Sequence, residues 1–188
     1  MIGKSSATAT VRGVRGLGRT AGDEGLRHHR WRVVERPRGV RLLAAPEPRL
    51  RIQRRVLRHL LAPVPPHPVV HGCIPGRSVR SAALPHAGAG TVLAMDLESF
   101  FGSVPAPRVW GLLQGVAGLG EPVAHAVTGP VTTVVPAAVW RRVPLPADPA
   151  GRDRHARLGR LLATPHLPQG APTSPPPADL ACSGWTGG

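Results

Sequence analysis

An α+β fold is predicted by three features of this 188-residue chain. Two short β-leaning runs flank the turn Arg36-Pro37-Arg38-Gly39, several later segments repeat apolar residues every three or four positions, and the run Val92-Leu93-Ala94-Met95 delivers Asp96. The first implies a hairpin, the second implies amphipathic helices, and the third implies a buried strand that presents a carboxylate at its end.

Residues 1–30 show no sustained periodicity, and glycines at 13, 16, 18, 22 and 25 break any helix that begins there. A disordered arm is expected, with a slight transit-peptide character from its hydroxyl and Arg residues. The runs Trp31-Arg32-Val33-Val34 and Val40-Arg41-Leu42-Leu43-Ala44 read as the hairpin. From Leu50 to Leu61, Ile52, Val56, Leu57, Leu60 and Leu61 share one helical face while Arg51, Arg54, Arg55 and Arg58 share the other. The proline-rich stretch 63–68 ends that helix. His67 and His71 stand four apart, but these prolines deny them a helix and hence a paired metal site.

A short helix over 79–85 leads to the strand at 92–95. Behind it, Val109, Leu112, Leu113 and Val116 predict a second amphipathic helix, weakened by Gly111 and Gly115. Residues 121–129 read as a short helix and 130–154, rich in proline and mixed in charge, as a long surface loop. Leu158, Leu161 and Leu162 predict a helix from 155 to 163, closed by Thr164-Pro165.

Composition narrows the function. With 24 Lys+Arg against 10 Asp+Glu the formal net charge is +14, which favours a polyanionic partner and binding that weakens steeply with salt. Nearly all the positive charge is arginine, the residue that forks onto phosphates, and Lys4 is the single lysine. Glycine and proline, 23 of each, leave only a marginal core. Cys73 and Cys182 have neither zinc nor disulfide-framework spacing, which fits a reducing cytoplasm. No apolar run reaches the length of a membrane span, and no signal-peptide core stands at the N-terminus.

Four segments carry a family resemblance. They are the Gln53-Arg54-Arg55 helix behind a proline, His71-Gly72-Cys73-Ile74-Pro75-Gly76-Arg77-Ser78, the 92–104 run with Asp96 and Phe101, and Leu167-Pro168-Gln169-Gly170-Ala171-Pro172-Thr173-Ser174-Pro175. In order and approximate spacing, over about residues 31–181, they resemble the reverse transcriptases of the bacterial retron and group II intron type. The departure is Cys73, where the family usually carries an aromatic.

The resemblance implies the fingers and partial palm of a right-hand polymerase. Its fingers would span 31–90, the palm strand with the first catalytic aspartate 91–104, a helical segment 105–165, and the start of a palm helix 166–188. It also implies the site. Asp96 would be the catalytic metal ligand for magnesium, Phe101 the aromatic under the sugar, and Gln169, Gly170 and Arg77 the nucleotide pocket, with Arg51, Arg54 and Arg55 on nucleic acid. The implied partners are an RNA template, a DNA primer and product, deoxynucleoside triphosphates and a dedicated structured non-coding RNA. Retroelement mobility and phage defence are both roles of such enzymes. The family's Tyr-x-Asp-Asp hairpin has no counterpart, because the sequence contains no tyrosine and no Asp-Asp pair. A polymerase lacking the catalytic hairpin and thumb, truncated and inactive alone, is therefore expected, and a non-catalytic nucleic-acid-binding remnant is the alternative.

Overall fold

A computed structural model describes residues 29–36, 39–46 and 51–183, so residues 1–28 of the arm expected at 1–30, the turn at 37–38, residues 47–50 and the final five lie outside the described set, while residues 29 and 30 of that arm begin a strand instead. Strands β1 (His29–Arg36) and β2 (Gly39–Pro46) pair antiparallel, with Trp31 opposite Ala44 and Arg36 opposite Gly39. They are the expected hairpin, and β-branched Val33 and Val34 suit its pleat. Seven α-helices follow among the described residues: α1 (Arg51–Val56), α2 (Val79–Ala83), α3 (Ala106–Gly115), α4 (Glu121–Val131), α5 (Ala137–Trp140), α6 (Pro149–Leu162) and α7 (Pro175–Ser183). The described residues are thus mixed helix with a small two-stranded sheet, consistent with the α+β class.

The first core is built by α1, α3, α4 and α7. Periodicity accounts for it: Val109 and Leu113 of α3 meet Ala124, Val127 and Val131 of α4, while Val56 and Leu61 close it from one side and Ala178 and Ala181 from another. Helix α1 continues into a π-helical turn over Leu57–Leu61, and its Gln53 lies buried on the apolar face with Nε2 donating to the Pro130 carbonyl at 2.9 Å. That carbonyl sits where a proline inside α4 disturbs the regular ladder, so the amide supplies a donor to a helix end. Val116, expected on the buried face of α3, is exposed because the helix ends at Gly115.

A second, smaller core joins the hairpin to α6. Leu42, Val135, Val143 and Leu162 are buried there, with Trp31, Val33, Val139, Trp140 and Leu158 packed around them. Residues 130–154 are therefore not the surface loop that their prolines suggested. They contain α5 and the first turn of α6, where Asp148 caps the helix by accepting from the Gly151 N–H at 2.6 Å and Pro149 takes the first position.

The largest departure concerns residues 92–97. No strand forms there: the segment is irregular, and Leu93 and Met95 are 79% and 86% exposed. A strand needs a ladder partner for its N–H and C=O groups, and among the described residues the segment 92–97 lies along no edge of the β1–β2 sheet. Indeed no residue from 62 to 99 is buried. The chain returns to the core only at the 3-10 turn Phe100–Ser103, entered through a left-handed Ser99 (φ 53°).

Candidate functional site

The Leu167–Pro175 motif lies at the junction between the two cores. His166 precedes it, and its backbone pairs both ways with Thr133, donating to the Thr133 carbonyl at 2.9 Å and accepting from the Thr133 N–H at 2.8 Å. Leu167 then donates to the Val104 carbonyl at 3.1 Å, so the end of the Asp96-bearing segment and the start of the second motif are tied together. The Gln169 carbonyl accepts from the Ala44 N–H of β2 at 2.8 Å. Gly170 turns through φ 94°, and a Cβ there would stand 3.2 Å from the Ala44 carbonyl oxygen, so a left-handed glycine both makes the turn and admits the hairpin.

The rest of the motif closes on itself. The Ser174 hydroxyl donates to the Pro168 carbonyl at 2.6 Å and both Thr173 and Ser174 are buried, which fixes the loop before α7 begins at Pro175. The Thr173 hydroxyl is buried without a hydrogen-bond partner among the described residues. Gln169 is half-buried, with its backbone rather than its amide accounting for the contact to the hairpin.

Other predicted residues are placed differently. Asp96 is exposed and has no hydrogen bond or ion pair among the described residues. Phe101 is half-buried in the 3-10 turn, packed against the first core and tilted 47° to Phe100 at a centroid distance of 5.8 Å. Arg77 turns inward: its Nη1 donates to the carbonyls of His67 and Pro68, each at 2.9 Å, and to that of Val70. This arginine therefore holds a proline-rich loop whose carbonyls have no helix or sheet to satisfy them. Arg54 and Arg55 project from the outer face of α1, and the Arg51 side chain lies outside the described set. Thus the structure brings the second motif together with Val104 and the hairpin, and leaves Asp96, Arg54 and Arg55 on the surface.

Two titratable residues outside the predicted site are perturbed by burial. His166 is 2% exposed, and burial lowers its pKa against the opposing pull of the Thr164 carbonyl, so the ring is neutral. Its Nδ1 lies 2.6 Å from that carbonyl, which fixes the proton on Nδ1. No motif surrounds it, and only its place beside Pro165 in a chain about to enter a tight loop marks it out. Asp179 of α7 is half-buried, and burial pushes its carboxyl up from 3.8 to about 6. Burial also raises the neighbouring Cys182 thiol, with Asp179 adding to the shift and Arg108 opposing it. Arg108 itself donates to the Ala181 carbonyl at 3.0 Å, joining α3 to the end of α7.

The Asp179 shift has a testable sign. Between its unfolded value near 3.8 and about 6 the folded chain binds more protons, so stability falls as pH rises through that window and stays reduced above it. Asp179→Asn is expected to stabilise the chain at pH 7 by up to about 1 kcal/mol, after allowing for solvent around a half-exposed group, and by nothing near pH 3. Urea midpoints of both proteins at the two pH values check this.

Among the described residues no group of three or more His, Cys, Asp or Glu is placed to hold a metal ion, and no helix is long and apolar enough to cross a membrane.

No family model matches the chain. It is 41% identical over 154 residues to the retron Mx65 reverse transcriptase of Myxococcus xanthus, an alignment covering 81% of this chain and 33% of that protein. It is 35% identical over 153 residues to the retron Mx162 reverse transcriptase of the same organism, covering 81% of this chain and 29% of the relative. The chain therefore spans about a third of the length of these relatives.

Proposed function

We propose that these 188 residues are the fingers and the front of the palm of a retron-type RNA-directed DNA polymerase. The observation that carries this is the similarity to two retron reverse transcriptases across four-fifths of the chain, at 41% and 35% identity. The hydrogen bond from Leu167 to Val104 supports it, since it joins the two segments that would share the nucleotide site.

In this reading Asp96 supplies one carboxylate to a magnesium ion. An exposed, unpartnered carboxylate fits such an ion as a single ligand, with phosphate oxygens and waters completing the shell. Bound there, magnesium would neutralise charge on the triphosphate of an incoming deoxynucleotide. The protein's own contributions are positional. Phe101, fixed against the first core, would set its ring under the sugar. Gln169 and Gly170, locked to β2, border the base and phosphates. Arg51, Arg54 and Arg55 meet the backbone of the RNA template or DNA primer without reading sequence. Arg77 acts on the nucleotide indirectly, by holding the loop at 67–70. A dedicated structured RNA as template source and a cytoplasmic setting belong to the same proposal.

A second reading is binding without bond formation. It is favoured by the single suitable carboxylate and the absence of any Tyr-x-Asp-Asp sequence within these 188 residues.

Binding is tested first. Replacing Arg54 and Arg55 together by alanine should weaken binding of an RNA–DNA hybrid and reduce the slope of log affinity against log salt by about one to two units. An unchanged slope would mean that the outer face of α1 points away from the nucleic acid.

A further inference from the structure

We infer that the outer face of α6 is a second nucleic-acid surface, built from Arg154, Arg157 and Arg160 and suited to the phosphates of a duplex. The inference rests on the proposed function only for the identity of the polyanion.

Some arginines of the described chain are spent on backbone carbonyls and others stand at the surface without a partner, Arg54 and Arg55 of α1 and three of α6 among them. Arg77, Arg108 and Arg152 donate to backbone carbonyls and are used up in holding loops and helix ends. Arg154, Arg157 and Arg160 are exposed and have no hydrogen bond or ion pair among the described residues. They stand three apart, so they form one stripe, with guanidinium roots stepping about 4.5 Å along the axis and spanning about 9 Å. Asp153 is the one acidic residue of the helix, against four arginines. Like charges at this spacing repel one another on the folded helix, and a polyanion relieves that repulsion.

The stripe is held rigidly. Trp140 seats on α6 at Gly159, where a Cβ would stand 2.9 Å from the indole, and its ring packs against His155 with centroids 4.5 Å apart and planes tilted by 44°. Leu158 and Leu162 anchor the helix in the second core. This surface therefore belongs to a different core from α1, which packs in the first.

The chemistry of the face selects the partner. Single strands are gripped by aromatic platforms on which bases stack, and the exposed positions of α6 carry no aromatic, Trp140 and His155 being turned onto each other. What remains is contact with phosphates. A duplex offers about one phosphate charge per 1.7 Å of axis, so a 9 Å stripe meets several at once.

The experiment titrates the full chain with an RNA duplex, an RNA–DNA hybrid and an oligouridine of equal length by fluorescence anisotropy at several salt concentrations. The variants are the triple Arg→Gln and the triple Arg→Lys at 154, 157 and 160, and the double Arg→Ala at 54 and 55. The glutamine variant should lose about two to three units of salt slope on one or both double helices and less than about one on the single strand. The lysine variant should keep the slope, and circular dichroism should show equal helix in all. Which double helix loses more slope identifies the source of the phosphates. Loss in the glutamine variant with none in the α1 variant sustains the inference while sinking the α1 contact. An unchanged slope in the glutamine variant, equal loss on single and double strands, or loss that lysine does not rescue overturns it.

Discussion

Leu167→Ala is expected to destabilise the chain by about 3–5 kcal/mol, the upper part of the range for a buried leucine. Leu167 has no exposed surface and lies in the first core with Val104, Val109 and Leu113. The size of the effect depends on whether the surroundings can collapse into the space left behind. Here they are pinned: Leu167 itself is bonded to Val104, His166 to Thr133 on both sides, and Gln169 to Ala44. The cavity therefore stays open and its walls lose their contacts outright. Urea unfolding should show a lower midpoint with an unchanged slope. Leu93→Ala is the control, since a side chain 79% exposed should change stability by less than about 0.5 kcal/mol. Equal effects at the two positions would mean that the junction is not packed as described.

Local signals in the sequence predicted local structure well. The 3.6-residue spacing of Val56, Leu57, Leu60 and Leu61 marks α1 with its following turn, and the spacing of Val109 and Leu113 marks α3. The hairpin follows from two β-leaning runs around a Pro-Gly turn. Residues 149–154, read as part of a loop, instead open α6 behind the Asp148 cap and a first-turn proline. Non-local properties were not legible. An apolar run such as 92–95 has the composition of a buried strand, yet composition does not supply the neighbouring strand that would bury it. Gln53 falls at helical spacing with the apolar Val56, Leu57 and Leu60, and what matches its buried amide is the carbonyl of Pro130, 77 residues away. His166 is buried by chain crossings at Val104 and Thr133 that no short window contains. Arg77 has the look of a phosphate ligand in sequence, and its use on three loop carbonyls depends on how the proline-rich stretch folds back.

The same division applies to the site. The Gln169-Gly170 turn was legible as a rigid loop, and its attachment to β2 was not. Asp96 was legible as an acid behind an apolar run, and its exposure was not.

Catalysis is the central question, and ligand counting sets the expectation. Nucleotidyl transfer of this kind uses two metal ions about 3.5–4 Å apart, which takes carboxylates from more than one segment. These 188 residues offer Asp96 from the first motif, while Asp179 sits in α7 as a half-buried acid whose pKa is raised, poorly suited to a metal. The polypeptide by itself should bind nucleic acid and not extend a primer. Joined to the remaining part of a retron reverse transcriptase such as the Mx65 relative, it should extend a DNA primer on an RNA template. The deciding measurement is primer extension with labelled deoxynucleotides by that joined protein and its Asp96→Asn form, with template affinity measured alongside. The account predicts extension by the first, none by the second, and nearly equal template binding by both; extension that survives in the Asp96→Asn protein would contradict it.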